Sequence, residues 1–147
     1  MPHDLSNKRQ NMSWDAVLLR VGPGVHSIEE MDEELPLGMR KAVLDAILAV
    51  FPACERESPT RLTYVAGDLS IQFALHGGST VDSVTVEVRG EGDPVSPLLE
   101  LARRNGWVVL DVSTSEFIDP ERPQDSGYAG YRKLVRGIGG AARKRKR

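Results

Sequence analysis

Five carboxylates, Glu91, Asp93, Asp111, Glu116 and Asp119, fall near one end of a predicted sheet and are the side chains best suited to work on a substrate. Carboxylates converging in a cleft can hold Mg²⁺ or act as an acid and a base. No histidine stands beside them in the sequence. Asp93 and Asp119 each precede a proline, where helix caps and turns use up a carboxylate. The three histidines, His3, His26 and His76, have no partner at metal-ligand spacing, and the single cysteine, Cys54, is remote from each. No serine-hydrolase or thiol-protease pattern is present. The loop Arg89-Gly90-Glu91-Gly92-Asp93 joins a predicted strand to a predicted helix, a place where backbone N–H groups can cradle phosphate. It lacks the third glycine of the dinucleotide fingerprint, since Val95 stands there, and the lysine of a P-loop. Glu91 and Asp93 would also repel an anion. These residues therefore predict no catalytic residue, no metal site and no cofactor.

Charge patterning points instead to contact surfaces. Glu29, Glu30, Asp32, Glu33 and Glu34 place five carboxylates within six residues. Such a run is either a solvated face or a docking surface for a basic protein, where complementary charge speeds association and selects partners. The last five residues, Arg143, Lys144, Arg145, Lys146 and Arg147, are all basic. Without them 14 of the 19 basic residues face 21 acidic ones, so the remainder carries −7. The tail is either a solubilising terminus or a phosphate-contacting segment for nucleic acid. It has no aromatic residue on which bases could stack, so sequence readout is not expected.

Those charges need a folded body to carry them. The 147 residues fit one domain, long enough to bury a core without a metal or a disulfide. Aromatics are only 5%, so the core must be mainly Val, Leu, Ile and Ala. A lone cysteine, no apolar leader in the first dozen residues and no membrane-length apolar run predict a cytoplasmic protein that does not enter the membrane.

Trp14 to Val21 carries apolar residues on both faces, as a central or doubly buried strand does. Ser27 and Glu30 have capping-box spacing. From Leu37 to Phe51, with Pro36 in its first turn, Val43, Leu44, Ile47, Leu48 and Phe51 recur at helical spacing. Residues 53–60 read as a polar loop. Arg61–Ala66 and Leu69–Leu75 flank Gly67-Asp68, a hairpin turn, and Val81–Arg89 alternates as a third strand of the meander. Asp93 caps a second helix that ends at Asn105-Gly106. Trp107–Val112 and Glu116–Ile118 follow as strands, and Tyr128–Val135 as a short final helix. The order β-α-β-β-β-α-β-β predicts an α+β fold, a two-layer α/β sandwich with helices on one face of a mainly antiparallel sheet. Its expected limits are an arm at residues 1–13, the domain at 14–136 and a basic tail at 137–147.

Several segments also carry a likeness. They are Pro36-Leu37-Gly38, Phe51-Pro52, Gly67 to Phe73, Val88 to Pro94, and Gly106 to Thr114 with Phe117-Ile118-Asp119. Together they resemble a family of small uncharacterised bacterial α+β proteins, over about residues 14–130. In size and make-up the chain is also similar to immunity proteins that neutralise bacterial toxins. The resemblance implies no catalytic residue. Three functional readings follow from the sequence. The first is a protein-binding module that covers a basic, nuclease-like partner through Glu29 to Glu34. The second is a nucleic-acid accessory protein acting through Arg143 to Arg147. The third is an enzyme with a pocket around Asp93, Asp111 and Glu116. Neither the partner nor the oligomeric state is legible.

Overall fold

The computed structural model describes residues 12–33 and 35–135. The chain runs β1 (Trp14–Leu19), β2 (Gly38–Met39), α1 (Arg40–Val50), β3 (Glu55–Ser58), β4 (Arg61–Ala66), β5 (Leu69–Gly77), β6 (Thr80–Arg89), α2 (Val95–Asn105), β7 (Val108–Asp111) and β8 (Glu116–Phe117). A further helix, α3, covers residues 127–135, and short 3-10 turns lie at Ile28–Glu30 and Pro123–Asp125. The strands form an antiparallel sheet ordered β3-β4-β5-β6-β1-β7-β8, with β2 paired to β6.

Register explains why one face is dry. Leu62, Phe73, Val86, Ala16 and Asp111 stand in one row across five strands, and Leu75, Val84, Leu18 and Val109 in the next. All of these residues are buried. Onto this face α1 sets Val43, Leu44 and Ile47, and α2 sets Val95, Leu98, Leu101 and Ala102, in a single core. The opposite face shows the alternate residues, among them Asp15, Thr63, Gln72 and Glu87, all half-buried. The two-layer α+β architecture expected from the pattern is therefore present, with both helices on one face.

The element order needs correction. The expected helix from Leu37 starts at Arg40, because Leu37 N–H donates to Val81 O at 2.8 Å and Gly38 and Met39 pair with β6. Gly38 has φ +146°, outside the helical region, so Pro36 leads a strand rather than a first helical turn. Residues 53–60 are not simply a loop. Glu55–Ser58 pairs with β4 as the edge strand β3, with a bulge between Arg56 and Ser58. Its sequence, Glu-Arg-Glu-Ser, has no apolar residue to reveal it, and that charge blunts an open edge. The observed order thus adds β2 and β3 to the predicted string, and the short final helix expected over Tyr128–Val135 is present as α3. Trp14–Val21 ends as a strand at Leu19 and is central, with Trp14, Ala16 and Leu18 sealed and Asp15, Val17 and Leu19 half-buried.

Other turn chemistry matches its expectation. Gly67 adopts φ +62° between β4 and β5. Asp93 Oδ1 accepts the N–H groups of Val95 and Ser96, both at 3.1 Å, and Gly106 at φ +71° ends α2. Asp93→Ala is expected to destabilise the fold by about 1 kcal/mol, as loss of such a cap does, read by urea unfolding. An unchanged midpoint would remove the capping role.

Candidate functional site

The acidic segment is held by one arginine. Arg20 forms a bridge with Leu35, and its guanidinium donates to Leu37 O at 3.1 Å. The chain between is thereby closed at its base into a loop on the end of β1. Ser27 does not cap a backbone N–H as the capping-box spacing predicts. Its hydroxyl donates to Glu30 Oε1 at 3.1 Å. Glu29, Glu30, Asp32 and Glu33 are exposed, and among the described residues none lies within ion-pair distance of a cation. Ile28, between Ser27 and these acids, is 38% exposed. Glu34 lies outside the described residues, as do Arg143 to Arg147 of the basic tail, residue 136 and the predicted arm up to residue 11. Charges without an internal counter-ion are the ones a partner can neutralise without first breaking a contact.

The carboxylates near the sheet end do different work from one another. Asp111 is 1% exposed and accepts four hydrogen bonds. Trp14 Nε1 donates to Oδ1 at 3.1 Å, the Ser113 N–H and hydroxyl donate to the same oxygen at 3.0 and 2.6 Å, and Gly127 N–H donates to Oδ2 at 2.5 Å. This hub ties β1, β7, the turn after β7 and the start of α3 together. A side chain on Gly127 would run into the Ser113 hydroxyl and the Asp111 carboxylate.

The loop after β6 is gripped from both sides. Gly90 has φ +81°, and a Cβ there would strike the Asp68 carbonyl. Gly90 N–H donates to the Tyr131 hydroxyl at 3.1 Å, and Glu91 N–H donates to Asp68 Oδ2 at 2.9 Å. Tyr128 donates to Gly92 O at 2.6 Å, and burial holds its phenol above its ordinary pKa. The Gly90 and Glu91 N–H groups thus have internal acceptors and are not free to cradle a phosphate.

Asp93 lines a cleft beside α2, whereas Asp111, Glu116 and Asp119 border a smaller one of about 200 Å³. Asp119 also accepts Glu121 N–H at 2.9 Å. The trio Asp93, Asp111 and Glu116 is therefore not gathered in one cavity. Among the described residues no group of three His, Cys, Asp or Glu side chains is placed to hold a metal ion. No helix among them is long and apolar enough to cross a membrane.

Cys54 is half-buried after α1, and burial pushes its thiol up to about 11. A thiol whose pKa rises on folding favours the neutral form. Its contribution to stability is full below its ordinary value near 9 and is lost as pH climbs towards 11. Labelling of Cys54 by a thiol-specific reagent is expected to rise about tenfold per pH unit from pH 7 to 10, since the thiolate is the nucleophile. A plateau by pH 8 would contradict this.

The hub around Asp111 is not what the sequence reading proposed for that residue. Its signal was present in the chain: a carboxylate ending the apolar strand Val108–Asp111 and followed by Ser113, with a tryptophan opening β1. Comparison with protein-family models, with curated proteins and with solved structures finds no match to this chain.

Proposed function

We propose that this chain is a non-enzymatic protein-binding module of the immunity type, which uses Glu29, Glu30, Asp32, Glu33 and Glu34 to cover a basic partner. A nuclease-like toxin suits best, because a nucleic-acid groove is positively charged. One observation supports this reading above the others: four exposed carboxylates with no ion-pair partner among the described residues lie on a loop closed at its base by Arg20. Ile28 adds a half-open apolar anchor among the charges, the arrangement in which a few desolvated residues carry affinity and the charged rim carries rate.

The test uses the full chain as bait in its native cell, at low and at high salt. A basic protein should be recovered, and its association rate at low salt should fall about tenfold or more when the five acids become Gln or Asn. Recovery of no stable partner, or of one indifferent to that replacement, refutes the proposal.

A further inference from the structure

The chain carries a second feature that the acidic loop does not explain. A cleft of about 570 Å³ opens between the first turn of α2, the Pro123–Asp125 turn and α3. This is within the size range of small-molecule sites. Val95, Pro123 and Tyr128 supply apolar walls, Arg132 and Lys133 line it from α3, and Asp93 lines it from the start of α2. The lining holds two cations, Arg132 and Lys133, against one carboxylate, Asp93, and a second carboxylate, Glu91, stands behind Arg132. Arg132 is not fully engaged. Its Nε lies 3.7 Å from Glu91 Oε1, beyond hydrogen-bond length, and this buried N–H has no acceptor among the described residues.

We propose that this cleft binds a small monocarboxylic acid with an apolar body. Its carboxylate would pair with Arg132 and Lys133, and its apolar body would lie against Tyr128, Val95 and Pro123. Three facts select the carboxylate over phosphate. The N–H groups of Val95 and Ser96 are already bonded to Asp93, and Pro94 and Pro97 have none, so the start of α2 has no backbone donors left to cradle a phosphate. Asp93 in the lining penalises a second negative charge. A guanidinium also matches a planar carboxylate with two parallel hydrogen bonds.

Phenylacetate is a suitable probe, with phenylacetamide, phenethylamine and inorganic phosphate as controls. Tyr128 meets Trp14 edge-on, with ring centroids 5.4 Å apart, so Trp14 fluorescence and the amide shifts of Val95 and Ala129 report occupancy. Phenylacetate should bind saturably, and each control should bind about tenfold more weakly or worse. Arg132→Gln should weaken phenylacetate about tenfold or more, as loss of a charge-assisted hydrogen bond does. If that variant lowers Tm, Lys133→Gln at an exposed position carries the comparison. Equal binding of phenylacetamide, tighter binding of phosphate, no saturable shift, or no weakening in the variant used each overturns the proposal. These readouts do not involve the acidic loop, so they stand or fall separately from partner binding.

Discussion

Replacing Asp111 by alanine is expected to destabilise the protein by about 3–5 kcal/mol, since the fully buried Trp14 donor is stranded at roughly 1–3 kcal/mol and the part-buried Ser113 and Gly127 donors add less each as they rehydrate. Trp14 Nε1, Ser113 N–H, the Ser113 hydroxyl and Gly127 N–H all lose their acceptor at once. For a chain of this length roughly 3 °C of Tm accompanies each kcal/mol, so the transition should fall by about 10 °C or more. Urea unfolding followed by tryptophan fluorescence reads the effect. Ser113→Ala, which removes one donor and leaves the acceptor in place, should cost about 1 kcal/mol. If Asp111→Ala cost no more than Ser113→Ala, the carboxylate would not be the joint that holds α3 to the sheet.

Phe73→Ala is expected to cost about 3–5 kcal/mol, the range for removing a fully buried aromatic ring. Phe73 is 0% exposed and stands in its row between Leu62 and Val86. Its ring meets Phe51 edge-on at 5.2 Å, and Phe51 in turn meets Tyr64 at 5.2 Å, so the cavity would open where the end of α1 sits on β4 and β5. Phe73→Leu keeps most of the volume and should cost less than about 1.5 kcal/mol. Val65→Ala, at a side chain 62% exposed on β4, should stay within about 0.5 kcal/mol. A Phe73→Ala loss as small as that of Val65→Ala would mean that the core does not form around this row.

The hairpin, the long strand β6 and α2 were legible because a local signal at each agrees with the tertiary outcome. Alternation at Leu69, Ile71, Phe73 and Leu75 predicts the face they bury, and Asp93 and Gly106 mark the ends of α2. Misreadings arose where pairing decided against local preference. Gly38 and Met39 look like the approach to a helix until β6 offers them a partner, and Glu55–Ser58 becomes a strand only because β4 lies alongside. Asp111 shows the same limit at the site. Its type and position are visible in the sequence, but Gly127 and Trp14 must fold back onto it before its role is fixed. The acidic run needed no long-range information, since exposure is the default for consecutive carboxylates. The Arg20 closure that holds it depends on a bridge to Leu35 across the loop.

The place of β1 has a consequence for how the chain folds during synthesis. The first described strand is inserted between β6 and β7, both translated long after it. Until they emerge, a strand bearing Trp14, Ala16 and Leu18 has neither hydrogen-bonding neighbour, and such non-local pairing is slow. Nascent chains stalled before Val108 would therefore present an unpaired sticky edge on β1, and these are the intermediates for which a holdase chaperone should be needed.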